Sequence, residues 1–155
     1  MTAHMLIRLA SIDDRERVCA LLDQIGLSTA DVLASGTRYW LAEDGGTARG
    51  AIGLEYGVGA VLLRSAGVLP GARGRGIGRA LVDTALAAAK QHGHVRAYLF
   101  STGAGPYWTR LGFREVPVEQ LVAALPDTPQ VRQYQRMGWL PTEVAWRRDL
   151  DRKVV

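Results

Sequence analysis

The stretch Val68-Leu69-Pro70-Gly71-Ala72-Arg73-Gly74-Arg75-Gly76-Ile77-Gly78-Arg79 joins an apolar run to an amphipathic, alanine-rich segment, and it restricts the fold more than any other part of the chain. The preceding Val61-Leu62-Leu63 is continuously apolar, as in a strand covered on both faces. After the turn, Ile77, Leu81, Ala85 and Ala88, with Val82, Leu86 and Ala89 beside them, recur at helical spacing from Gly76 to about Gln91. A strand that enters a helix through glycines leaves bare N–H groups at the first helical turn, where the dipole also favours an anion. Arg73, Arg75 and Arg79 add positive charge around them. The turn therefore reads as a pyrophosphate cradle in an α/β frame, at the C-terminal end of a strand, where such folds bind ligands.

The rest of the chain supplies elements for that frame. Met5–Leu9 reads as a strand, and Ser11, Asp13 and Asp14 open a helix that Gly26 ends. A second short helix is expected over Thr29 to Ala34. Strands follow at Arg38 to Glu43, Thr47 to Tyr56 and Ala60 to Val68, separated by Asp44-Gly45-Gly46 and by Gly57 and Gly59. Alternation in the second of these puts Ile52, Leu54 and Tyr56 on one face and Ala51, Gly53 and Glu55 on the other. Beyond the long helix, Val95 to Phe100 is a strand, Ala104 to Leu111 a short helix and Phe113 to Pro117 a strand. Val118 to Leu125 has helical character, Gln130 to Met137 is ambiguous, and Val144 to Leu150 has the pattern of a final strand.

With 155 residues, 48% of them hydrophobic, the chain suits one domain over 1–155 with a single core. No apolar run approaches a bilayer span and no secretory leader is visible, so a cytoplasmic protein without membrane contact is expected. Cys19 is the one cysteine, which excludes an intramolecular disulfide and a cysteine-rich zinc site, and His4, His92 and His94 lack metal-ligand spacing. The net charge of +4 comes from 17 arginines and two lysines scattered along the chain. A basic nucleic-acid module would need a compact basic face or aromatic-interleaved motif, and neither is present.

Three phosphate-binding templates can be laid on the glycine turn. A dinucleotide fingerprint starting at Gly74 needs glycine or alanine where Arg79 stands, and a P-loop starting at Gly71 needs Lys-Ser or Lys-Thr where Ile77-Gly78 stands. The third fits. Arg73-x-x-Gly76-x-Gly78, preceded by Val68-x-Pro70, resembles the acetyl-CoA motif of the GCN5-related N-acetyltransferase (GNAT) superfamily, and Ala104-x-x-Tyr107-Trp108-x-Arg110-Leu111-Gly112-Phe113 resembles the segment after that family's fifth strand. Gly53-Leu54-Glu55, Leu62-Leu63-Arg64-Ser65 and Arg110-Leu111-Gly112-Phe113-Arg114 are most similar to its arsenic-resistance-like group, although one cysteine cannot chelate trivalent arsenic through several thiolates.

The resemblance implies a single-domain α/β fold with a mixed, mostly antiparallel sheet flanked by helices and splayed strands at the cofactor. It implies acetyl-CoA as co-substrate without a metal, and direct transfer of the acetyl group to a primary amine of a small molecule or peptide. Pyrophosphate would sit on Gly74, Arg75, Gly76, Ile77, Gly78 and Arg79, with Arg73 nearby, and pantetheine on the Val68 backbone and the Ser101 hydroxyl. Arg73 and Arg75 each read equally as a phosphate ligand or as a solvated or structural group. Glu55, on the strand beside the cofactor strand, is the candidate general base; the same residue also reads as merely exposed beside a hairpin. Trp108 stands where many members have an acidic tyrosine, and an indole has no phenol to titrate. Tyr107 is the candidate general acid, although it points roughly 100° round the helix from Trp108. The departure leaves open a domain that binds acyl-CoA without transfer. Trp40, Trp108, Trp139 and Trp146 suit an acceptor pocket, core packing or an interface, and a homodimer is compatible with the pattern.

Overall fold

The computed structural model describes residues 5–150; His4 and both ends of the expected 1–155 domain lie outside it. Seven strands pair in the order β1-β2-β3-β4-β5-β7-β6, forming an open, mostly antiparallel sheet flanked by helices. They are β1 (Met5–Leu9), β2 (Thr37–Asp44), β3 (Thr47–Tyr56), β4 (Ala60–Val68), β5 (Arg96–Phe100), β6 (Arg114–Val116) and β7 (Ala145–Asp149). Among the described residues five α-helices accompany them: α1 (Arg15–Ile25), α2 (Ile77–Gln91), α3 (Gly105–Arg110), α4 (Val118–Ala124) and α5 (Pro129–Met137). The chain forms two compact units. One takes the chain up to Leu54 with Arg64–Ala87, and the other takes Glu55–Leu63 with the chain from Ala88 onward.

In the first unit β1 runs antiparallel to β2, from Met5↔Asp44 to Leu9↔Trp40. Val18, Leu21 and Leu22 are the buried stripe of α1, packed with Val32, Tyr39, Leu41 and Ala51. Ser11 and Asp14 form the expected cap: the Ser11 N–H donates to the Asp14 carboxylate at 2.8 Å, and Gly26 ends α1 in the left-handed region at φ 88°. In the second unit β4 and β5 are parallel from Ala60↔Arg96 to Leu63↔Leu99, and β5 is antiparallel to β7. Its core gathers Ala60, Leu62, Tyr98, Leu121, Leu125, Val131 and Ala145.

Two expectations change. Thr29 to Ala34 forms turns and no helix, because Asp31 (φ 61°) and Leu33 (φ 57°) take positive φ and the local bonds run i to i+3. Along β3 the expected alternation of side chains stands, and both faces are enclosed, with every residue from Gly50 to Glu55 buried. The ambiguous Gln130 to Met137 is helical, started by Thr128 as N-cap and Pro129 in the first turn.

Two buried carboxylates hold β1 and α1 to β2. Arg8 reaches Asp14 at 2.8 Å and Glu43 at 2.6 Å, and Arg17 also bonds Glu43. The Arg8 guanidinium is the main cause that holds both carboxyls below their ordinary values of 3.8 and 4.5. Depressed values mean that this stabilisation is complete above the ordinary range and is lost as pH falls through the lower, folded-state values. Arg17, with its side chain 41% exposed, adds little. Asp14→Asn should cost about 1–2 kcal/mol at pH 7, mostly through the cap and its charge. Urea unfolding from pH 7 to 2 should show a flatter acid limb for the variant; a curve parallel to wild type would detach Asp14 from the pH dependence.

Candidate active site

The approach to the glycine turn is fixed by a strained residue. Ser65 in β4 has φ 56°, a costly conformation that persists only when neighbours impose it. Here the Tyr39 and Ser65 hydroxyls lie 3.1 Å apart, the Arg64 Nε donates to Ser65 Oγ at 3.2 Å, and Arg64 Nη2 donates to the Ala30 carbonyl at 2.6 Å. Arg64 and Tyr39 are buried, so the network is shielded from water. Sequence reading missed it, since Ala30, Tyr39 and Ser65 come from separate segments. Beyond it, the Leu69 N–H donates to the Arg49 carbonyl at 2.8 Å and Arg73 Nε to the Val68 carbonyl at 3.1 Å, which pins the end of the strand.

The turn itself has the form of a cradle. Gly74 and Gly76 take φ 81° and 76°, and a Cβ on either would meet nothing within 4 Å. Glycine is thus required there by backbone conformation, with open space over the main chain. The first intrahelical bond runs from the Ala80 N–H to the Gly76 carbonyl at 3.0 Å, so the Ile77, Gly78 and Arg79 N–H groups lie ahead of any intrahelical acceptor. Behind them Leu81 packs close to Gly50, where a Cβ would come within 3.1 Å of its Cδ1. Bare donors, a helix N-terminus and open space suit a diphosphate. The arginines have protein partners: Arg73 on Val68, Arg75 on Asp44 at 3.3 Å and Arg79 on Asp83 at 4.0 Å. The unpaired main-chain donors are thus the groups free to make directed contacts, with the guanidinium groups as a positive background.

In the second unit Glu55 is fully buried, and its Oε1 accepts the Gln130 N–H at 2.9 Å at the start of α5. The carboxylate thus accepts a main-chain N–H at a helix N-terminus. That partner lies 75 residues away and had no signal in the sequence. Tyr107 is half-buried with its ring edge-on to Trp108 at 5.1 Å. Trp108 is buried against Phe113 at 5.5 Å, and its Nε1 has no hydrogen-bond partner among the described residues. The Ser101 N–H donates to the Val144 carbonyl at 2.9 Å and its carbonyl accepts Trp146 Nε1 at 3.0 Å, so the hydroxyl is the group Ser101 can offer a ligand.

The sequence family described as acetyltransferase (GNAT) domain matches residues 35–115, more than half of the chain and the part that contains the glycine turn. The chain belongs to this family. It carries an acetyltransferase (GNAT) domain, and its fold is that of solved GNAT structures. N-acetylglutamate synthase from Neisseria gonorrhoeae, solved with coenzyme A and N-acetyl-glutamate, is 21% identical with a TM-score of 0.79; the match covers 98% of this chain and 36% of that one. The chain thus spans about a third of the length of that synthase. A GNAT-family acetyltransferase from Staphylococcus aureus MU50 is 19% identical over 96% of this chain and 100% of that one, with a TM-score of 0.74. A GNAT acetyltransferase from Brucella melitensis, solved with acetyl-CoA, is 22% identical over 72% of this chain and 83% of that one, with a TM-score of 0.62. No curated protein matches in sequence. The comparisons identify the superfamily and do not single out its arsenic-resistance-like group.

Among the described residues no group of three or more His, Cys, Asp or Glu could hold a metal ion, and no helix is long and apolar enough to cross a membrane. The cradle geometry of this GNAT acetyltransferase yields a direct test. Gly76→Val forces a β-branched residue to positive φ and places methyl groups in the open space, so acetyl-CoA binding measured by calorimetry should weaken at least about 10-fold, with a stability loss of about 1–2 kcal/mol. Arg75→Ala should weaken it only a few-fold, in keeping with an exposed charge. The reverse order would move recognition from the backbone to the arginines.

Proposed function

We propose that the turn from Gly74 to Arg79 receives the pyrophosphate of acetyl-CoA, that the Val68 backbone and Ser101 hydroxyl line the pantetheine arm, and that the acetyl group passes directly to a primary amine. The positive φ and open Cβ positions of Gly74 and Gly76 carry this reading. The amine nitrogen attacks the thioester carbonyl carbon, a C–N bond forms and the C–S bond breaks. One proton leaves the nitrogen for a base, and the departing thiolate takes up a proton. Holding both substrates in register supplies much of the rate. Membership of an acetyltransferase family disfavours a domain that only binds acyl-CoA.

Glu55 is the proposed base and Tyr107 the proposed acid; Tyr107 has the phenol that Trp108 lacks. The Glu55 assignment requires that water reach a carboxylate closed to solvent in the free protein. It also competes with a second role, since Glu55 anchors α5 through Gln130. The whole chain is proposed to act as one cytoplasmic domain, as a homodimer, on a small-molecule or peptide amine, without metal or nucleic acid.

Coenzyme A release across amino acids, polyamines, aminoglycosides and peptide N-termini should identify at least one acceptor, and silence across the panel would overturn the transfer reading. Two variants then separate the roles of Glu55. Glu55→Gln keeps an oxygen to accept the Gln130 N–H while removing the base, so turnover at neutral pH should fall about 10²-fold with acetyl-CoA affinity unchanged. Glu55→Ala should lower the melting temperature as well. Full turnover in Glu55→Gln would leave Glu55 as an anchor alone.

A further inference from the structure

We infer that Gln130, Tyr134, Phe100 and Trp139 form the acceptor-recognition face, and that the acceptor is a primary amine carried on a flat aromatic body. The inference rests on the acetyl-transfer reading above and names its substrate class. Its first support is an unsatisfied polar group. The Gln130 Oε1 is buried and has no hydrogen-bond partner among the described residues, while the Gln130 Nε2 is a long 3.5 Å from the Tyr134 hydroxyl. A buried carbonyl oxygen without a donor is costly and calls for an N–H or O–H. The Gln130 main-chain N–H already rests on the Glu55 carboxylate. An amine donating to Gln130 Oε1 would therefore lie next to the residue proposed to take its proton.

The second support is an aromatic row on the same helix. Tyr134, one turn after Gln130, stacks on Phe100 with ring centroids 4.9 Å apart and planes at 28°, and Trp139 meets Tyr134 edge-on at 5.4 Å. Phe100 ends β5 and adjoins Ser101, whose hydroxyl is proposed to meet the pantetheine arm. Trp139 is held in place by the fold: α5 ends at Gly138 with φ 72°, and the Trp139 N–H returns to the Tyr134 carbonyl at 2.9 Å. Yet Trp139 is 41% exposed and the neighbouring Met137 53%. An indole fixed by the backbone and left partly in water is an adaptable, low-entropy contact for a flat apolar group. Donor-seeking carbonyl and aromatic row together fit an arylalkylamine, with its nitrogen at Gln130 and its ring along Tyr134 and Trp139.

Calorimetry with 2-phenylethylamine and n-hexylamine, on the full chain saturated with coenzyme A, tests this. Wild type should bind the aromatic amine at least about 10-fold tighter, and Trp139→Ala should remove most of that preference with acetyl-CoA affinity unchanged. Gln130→Ala, which keeps the main-chain N–H for Glu55, should weaken both amines alike by about 10-fold. Equal affinities for the two amines in wild type, or an unchanged preference in Trp139→Ala, would overturn the inference. So would a shift from dimer to monomer in Trp139→Ala with amine affinity intact, since the indole would then serve contact between copies. Binding of 2-phenylethylamine that obeys these rules without coenzyme A release from any amine would defeat the transfer reading and leave the recognition face standing.

Discussion

The structure depends most on a main chain forced into positive φ on the way to and within the glycine turn. Ser65 takes that conformation in the interior of β4, and Gly74 and Gly76 take it after the strand ends. The two cases differ in kind. Glycine adopts such angles freely, whereas serine does so at a cost that its surroundings must offset. Tyr39, Arg64 and the Ala30 carbonyl supply the offset, and they explain why Thr29 to Ala34 is a set of turns: a helix there would engage the carbonyl that Arg64 needs. The irregular segment after α1 is thus part of the support of β4.

The chemistry divides between backbone and side chains. Anion recognition is proposed to rest on N–H groups that side-chain changes other than to proline leave in place, so it tolerates exposed arginines whose charges already have carboxylate or carbonyl partners. Proton transfer has no such security. Trp108 packs as a core aromatic and has no phenol to titrate, while Glu55 serves a helix terminus as well as any part it takes in the reaction.

What was legible in the sequence follows the range of each interaction. The glycine turn, the Ser11–Asp14 cap and the stripe of α1 are local patterns, and each stands where periodicity and spacing put it. The face assignment along β3 holds, but its full burial was not legible, because alternation cannot tell a half-exposed strand from one buried on both faces. The start of α5 was written in Thr128 and Pro129, but its arginine- and glutamine-rich body hid the helical period. Glu55 with Gln130, and Ser65 with Tyr39, are pairings of distant segments that no local rule reaches. Trp139 was one of four tryptophans open to several roles, and only its partial exposure on a rigid cap sets it apart.

The attachment of α5 bears on how such a protein diversifies. The helix is tied down at its first turn by Glu55 and by buried Val131, while the residues facing outward from Gln133 to Trp139 carry little of the core. Selection can therefore rewrite that outer surface with little loss of stability and without disturbing the glycine turn. If that surface reads the acceptor as proposed, donor and acceptor preferences become separately heritable traits, and a lineage can keep one activated acyl carrier while exploring new recipients.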